Sequence, residues 1–235
     1  MAIKGVLFDK DGTIVDYWAT WLPINRKAAL HVAGGNESLA GELLRLGGHD
    51  PDTDRVTPGT PLAAGDFLDI AQAFAAHPDI GPAAELATDI ERIFCEGGAA
   101  HSVLIAGARE TLVELKRRGL RLGLATNDSE GGLEASLLQH HVLDLFDFRA
   151  GCDSGYGAKP DPRMVRAFCQ DLGCGLEHVA VVGDAVHDLA MGRAAGAGLT
   201  IGVLSGTSGR ADLEAYADRI VGSVTELIAM AEFGG

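Results

Sequence analysis

The stretch Ile3-Lys4-Gly5-Val6-Leu7-Phe8-Asp9-Lys10-Asp11-Gly12-Thr13 begins as an apolar run and ends on two carboxylates two positions apart. Val6, Leu7 and Phe8 predict a buried strand, and Asp-Gly is a strong turn signal, so the chain leaves this strand through a loop carrying both acids. In an open α/β sheet the carboxyl ends of parallel strands are where ligands bind. A lone D-x-D-G segment is more often an ordinary turn with solvated acids, so what the pair means depends on the later segments.

Immediately outward from this loop, residues 17–100 change character. Trp18–His31, Ser38–Leu46, Leu62–Ala76 and Pro82–Cys95 space their apolar residues near the helical period, with Gly-Gly, Pro-Gly and Pro-Asp breaks between them. No alternating strand is expected there. Beyond them, Gly107–Arg118 predicts a helix stopped by Gly119, and strands then alternate with helices. The expected strands are Leu120–Ala125, Phe146–Ala150, Val179–Val182, Leu199–Leu204 and Arg219–Val221. Helices are expected around Leu133–Gln139, Pro162–Leu172, Asp188–Ala195 and Val224–Met230, with Gly173 ending the second. The pattern predicts an α/β fold, a doubly wound parallel sheet interrupted after its first strand by an all-helical insert. Residues 1–16 and 101–235 are assigned to the core and 17–100 to the insert.

The chain has 235 residues, 19 basic and 33 acidic, with a formal charge of −14. That balance argues against a nucleic-acid backbone or an anionic membrane as partner, though a metal and a few basic groups in one cleft can still hold a small anion. Four scattered cysteines without metal-ligand spacing read as reduced packing residues. With no basic leader ahead of a long apolar run and no run of membrane-spanning length, the expectation is a soluble cytoplasmic protein, a monomer or homodimer.

Four strand ends or loops carry polar residues: Asp9 with Asp11, Thr126 with Asn127, Lys159, and Asp184 with Asp188. A doubly wound sheet brings such loops to one edge. There Asp9 and Asp184 would offer the hard oxygens that Mg²⁺ prefers, and Lys159 would help neutralise them and hold a phosphate. Thr126 brings a hydroxyl donor and Asn127 an amide suited to phosphate oxygens, although Asn127 is equally suited to capping or shaping its loop. One carboxylate can then attack phosphorus while a second handles the leaving-group proton. Asp9 is assigned the first duty and Asp11 the second.

DKDGTIVD at 9–16, Thr126 within LATN, Lys159 within AKPDP and GDAVHD at 183–188 together resemble the four motifs of the haloacid dehalogenase superfamily, in order and across the whole core. The insert resembles that superfamily's C1 cap. GARETLVELKRRGLRLGLATN and IGVLSG are similar to phosphoglycolate-phosphatase-like members. The resemblance implies a Rossmann-like core and a Mg²⁺-dependent phosphatase that hydrolyses a small phosphorylated metabolite, phosphoglycolate-like, through an aspartyl-phosphate. It places Thr126 and Lys159 on the phosphate, and Asp9, Asp184 and the carbonyl of Asp11 on the metal. Asp188 is implied as a ligand through water or as a group behind the ligands, and a helix-start acid is its plainer alternative.

Lys10 stands where the superfamily usually has an apolar residue, and alternation predicts that it points away from the site or touches the cap. Ala185 replaces a common hydroxyl residue. Among the superfamily's activities, dehalogenases usually lack the second acid, and phosphonatases use a cap lysine as a Schiff base, for which Lys27 is the sole candidate between Asp11 and Lys116. A sugar-phosphate mutase remains open, as does a receiver-like phospho-accepting module. Trp18 and Trp21 are expected in the cap core, His187 either near the metal loop or outward, and Arg26, Lys27, Arg45 and Arg55 either on a substrate carboxylate or in solvent.

Overall fold

The computed structural model describes residues 2–234. Strand β1 (Gly5–Phe8) leads into the insert: α1 (Tyr17–Val32), α2 (Glu37–Leu46), β2 (His49–Asp50), β3 (Arg55–Val56), α3 (Pro61–Ala64), α4 (Phe67–Ala75) and α5 (Ala83–His101). The remainder alternates: α6 (Ala108–Arg117), β4 (Arg121–Ala125), α7 (Glu130–Leu138), β5 (Phe148–Ala150), α8 (Arg163–Leu172), β6 (Val179–Gly183), α9 (Val186–Ala195), β7 (Leu199–Val203), α10 (Arg210–Leu213) and β8 (Arg219–Val221).

The large sheet has the order β5-β4-β1-β6-β7-β8 and every pairing in it is parallel. From β1 the chain winds one way through β4 and β5, then returns to place β6 on the other side of β1 and winds on to β8. The reversal therefore falls beside β1, where ligands collect in such sheets. Register sets what meets there: Phe8 pairs with Leu124 on one side and Val182 on the other. Asp9, Thr126 and Asp184 consequently fall within two residues of a single line across the sheet.

Burial on both faces explains why these strands read as unbroken apolar runs. Val6 and Phe8 point to a cluster with Leu112, Leu115, Leu133 and Leu137, whereas Leu7 points to one with Met164, Val165 and Phe168. The insert has its own apolar cluster, built on Tyr17, Trp21, Ile24, Leu43, Phe74, Ile90 and Phe94. Phe74 is fully buried at its centre, and truncating it to alanine would cost about 3–5 kcal/mol. Entry to and exit from the insert run side by side, since Asp16 N donates to Val103 O at 2.8 Å and Ile105 N to Ile14 O at 2.9 Å. Among the described residues no helix is long and apolar enough to cross a membrane.

Three local expectations differ from the structure. The insert is not wholly helical: β2 and β3 form a two-residue hairpin whose turn is tied by Asp50, which accepts from Asp52 N at 3.0 Å and from Thr53 Oγ1 at 2.7 Å. Strands that short leave no periodic signal. The single helix expected over Leu62–Ala76 breaks at Gly65-Asp66, because Asp66 caps α4 by accepting from Leu68 N and Asp69 N while Asp69 answers to Asp66 N. The last helix, Val224–Ala229, is a 3₁₀ turn.

Candidate active site

Asp9 follows β1 directly and is anchored by its N–H to Val182 O at 2.8 Å. Lys159, on the loop after β5, reaches across with Nζ 2.5 Å from Asp9 Oδ1 and 2.7 Å from Asp188 Oδ1. Asp184 follows β6 and accepts from Thr207 N at 2.8 Å, while Asp188, in the first turn of α9, accepts from Ala185 N at 3.0 Å. Carboxylate oxygens of Asp9, Asp184 and Asp188 lie within 4.8 Å of one another, all buried. Lys159 is their one ammonium partner among the described residues, and Asp9 Oδ2 is buried with no hydrogen-bond partner.

At that spacing two like charges repel by roughly 3–4 kcal/mol at an effective dielectric of ~20. Burial, then the neighbouring Asp188, pushes Asp9 up to about 7 against the pull of Lys159. Asp184 is raised as well, by burial and by both other acids. Burial also works against ionisation of Asp188, but His187 and Lys159 outweigh it and hold that carboxyl below its ordinary value. Three clustered hard-oxygen donors, short of positive charge and with one oxygen unused, fit a hard divalent cation.

The second acid, Asp11, belongs to a different cluster. Of the two expectations for Lys10, pointing away or touching the cap, the structure shows the second. Lys10 is fully buried, with Nζ 2.9 and 2.8 Å from the two oxygens of Asp11 and 3.1 Å from Asp128 Oδ2. Alternation ends with the strand at Phe8, and Lys10 lies in the bend that leads into the turn at Gly12, φ +83°. The ammonium of Lys10 also lies 4.9 Å from the centre of the Trp21 ring. Trp21 is in the cap core, stacked on Phe94, yet its Nε1 donates to Asp11 Oδ1 at 2.6 Å. Helix α1 of the insert thus touches the carboxylate beside the sheet edge.

Thr126 is buried and its hydroxyl accepts from Asp128 N at 3.1 Å, leaving the O–H proton to donate into the cleft. Asn127, left open between a phosphate contact and a loop-shaping role, lines the cleft and makes two bonds. Its Oδ1 accepts from Lys159 N at 2.8 Å and its Nδ2 donates to Ala64 O at 3.1 Å, so it positions Lys159 and ties the core to α3. His187 faces inward, with Nε2 3.3 Å from Asp188 Oδ1, and burial lowers its pKa. The loop after β7, entered by the IGVLSG segment, was given no site role in the sequence, although its Gly206-Thr207 pair is a usable signal. Gly206 passes so near Asp184 that a Cβ there would run into the carboxylate, and Thr207 supplies that carboxylate's hydrogen bond.

Above these groups lies a cleft roofed by Tyr17, Trp21, Leu62, Phe67, Ile70 and Phe94 and floored by Asp9, Asp11, Thr126 and Asp184. Its cavity volume is about 80 Å³. Lys27, needed for a Schiff-base phosphonatase, is exposed on α1 and does not line it.

A parallel six-stranded sheet with a helical cap and a buried acidic cluster at its switch point defines a hydrolase class, and comparison with known proteins agrees. The profile of the haloacid dehalogenase-like hydrolases matches residues 3–196. A phosphoglycolate phosphatase from Rhodospirillum rubrum is 32% identical over 201 residues, covering 82% of this chain and 76% of that protein. An N-acetylmuramic acid 6-phosphate phosphatase from Pseudomonas putida is 26% identical over 196 residues, covering 83% and 81%. The crystal structure of a HAD family hydrolase from Deinococcus radiodurans, with bound phosphate and sodium, shares the fold at a TM-score of 0.69 and 24% identity, covering 99% and 96%. The chain belongs to the haloacid dehalogenase-like hydrolase family and is one of its phosphatases.

Proposed function

We propose that this phosphatase is Mg²⁺-dependent and hydrolyses a small organic phosphomonoester through an aspartyl-phosphate. Asp9 is the nucleophile: its carboxylate oxygen bonds to phosphorus as the P–O bond to the alcohol breaks, and Asp11 gives its proton to the departing oxygen. Asp11 then takes a proton from the water that attacks phosphorus, which releases phosphate and restores Asp9. Lys159 and the Thr126 hydroxyl hold the phosphoryl oxygens. Asp9, Asp184 and the carbonyl of Asp11 would hold the cation, with Asp188 either a ligand through water or the group that fixes Lys159. A divalent cation there would neutralise the carboxylates and stabilise charge on the phosphoryl oxygens.

The observation that carries this reading is the cluster of three buried carboxylates around one ammonium, with Asp9 Oδ2 unpartnered beneath the cap. Supporting it, Asp11 stands apart from that cluster and lines the same cleft, held in place by Lys10 and Trp21. The helical insert, residues 17–100, serves in this scheme as the cap over a core of residues 1–16 and 101–235. The deciding experiment measures inorganic phosphate released from a panel of small phosphoesters, with Mg²⁺ and with EDTA. Metal-dependent release is expected, while stoichiometric phosphorylation without turnover would sink the hydrolase mechanism in favour of a phospho-accepting module.

A further inference from the structure

We infer that the alcohol leaving from this site is compact, uncharged and largely apolar, an alkyl or aromatic alcohol and not a hydroxy acid such as glycolate. The inference rests on the phosphatase reading and narrows its substrate. The roof of the cleft is six apolar or aromatic side chains, and no lysine or arginine lines it. Both nearby ammoniums are fully buried and taken: Lys10 bridges Asp11 and Asp128, and Lys159 bridges Asp9 and Asp188. Lys159 is further committed to the phosphoryl group. A second carboxylate on the substrate would find no cation in this cleft.

Cap cations offered by the sequence for such a carboxylate are directed elsewhere. Arg26 pairs with Asp54 at 2.5 Å and Arg45 with Asp52 at 2.6 Å, and neither residue lines the cleft. Lys27 and Arg55 are exposed and also absent from it. The adjoining opening between cap and core carries Asp66, Asp69 and Asp212, and its one lysine, Lys159, is already bridged by Asp9 and Asp188, so it offers a second carboxylate no free cation either. A carboxylate stripped of water without a partner is strongly disfavoured, whereas an apolar group gains by the same burial.

Polar handles for a polyhydroxy alcohol are equally scarce on the roof. The Tyr17 hydroxyl donates inward to Leu62 O at 2.7 Å, the Trp21 N–H is spent on Asp11, and Asp66 Oδ1 is spent on the α4 cap. Tyr17 and Trp21 therefore present ring surface to the cleft, and the carboxylate of Asp66 at its edge is a like charge to any second anion.

The test uses an isosteric pair. Isobutyl phosphate replaces the two carboxylate oxygens of phosphoglycolate with methyl groups, and phosphorylcholine adds a cationic arm. With Mg²⁺ present, kcat/KM for isobutyl phosphate is expected to exceed that for phosphoglycolate and for phosphorylcholine by at least tenfold. Calorimetry should rank non-hydrolysable 3-methylbutylphosphonate above 3-phosphonopropionate by a similar factor. Phe67→Arg, at the cleft wall beside Phe94, should move the isobutyl-to-glycolate ratio at least tenfold toward phosphoglycolate. Phosphoglycolate or phosphorylcholine hydrolysed as well as isobutyl phosphate, or better, overturns the inference and leaves the phosphatase reading standing. No release from any ester, p-nitrophenyl phosphate included, overturns the phosphatase reading and takes the inference with it.

Discussion

Lys159 and Lys10 are both fully buried ammoniums bridging two carboxylates, yet their surroundings differ in completeness. Around Lys10 every carboxylate oxygen is partnered: Asp11 by Lys10 and Trp21, Asp128 by Lys10 and Ser129 N. Around Lys159 a third acid, Asp184, crowds in and Asp9 Oδ2 has no partner. One cluster is closed and serves to hold a side chain in place. The other is short of positive charge, which is the condition of a site built to receive a cation and a phosphoryl group. Their difference shows that a buried lysine-carboxylate pair is informative only once its neighbours have been counted.

The largest expected effect breaks the open cluster at its centre. Asp9→Asn should lower Mg²⁺-dependent phosphate release by on the order of 10⁴-fold or more while circular dichroism stays unchanged, as loss of a nucleophile does. Retained turnover would remove Asp9 from that role.

Next comes the direct comparison of the two lysines. Lys159→Met and Lys10→Met should each cost about 3–5 kcal/mol in EDTA, because each leaves two buried acids without their ammonium. Saturating Mg²⁺ should recover a large part of the loss in Lys159→Met through binding to the folded state, and little of it in Lys10→Met. Equal recovery in thermal unfolding would erase the distinction between the clusters.

Proton linkage probes the same shortage of charge. Asp9 sits near 7 in the folded chain against an ordinary value of 3.8, so between those values the folded state holds a proton that the unfolded state has released. Stability in EDTA should therefore fall as pH rises from about 4 to 7, at up to ~1.4 kcal/mol per unit. Asp9→Asn should flatten that slope, and urea midpoints across the window measure it; a slope equal to wild type in the variant would assign it elsewhere.

The smallest effect concerns the closed cluster. Trp21→Phe keeps the ring and removes the donor to Asp11, a charge-assisted hydrogen bond of roughly 1.5 kcal/mol or about tenfold in rate. An alkyl phosphate, which needs its leaving oxygen protonated, should slow by that factor, and p-nitrophenyl phosphate much less. Equal slowing of both would count against Trp21 acting through Asp11.

How much of this was legible beforehand follows from how local each signal is. The core strands and the helical character of the insert are written in runs of five to fifteen residues, so periodicity and turn chemistry reach them. The α3–α4 break was also within reach, since Gly65-Asp66 with Asp69 is a capping signal that an apolar run obscured. Lys10 was legible only as a choice between pointing away and touching the cap, because the rule that orients strand side chains lapses one residue past Phe8, where the turn begins. Asn127 was open between phosphate, cap and loop, and only the approach of Ala64 from the insert and of Lys159 from a distant loop resolved its bonds.

By itself the sequence determined the family, the parallel sheet and the order of acids, threonine and lysine along its edge, because each depends on short-range pattern and on register between buried strands. Tertiary structure alone decided that Trp21 reaches Asp11, that Lys10 closes one cluster while the other stays open, and that the cleft roof carries no cation. Those outcomes depend on where the cap comes to rest over the sheet, a placement made by packing between segments far apart in the chain.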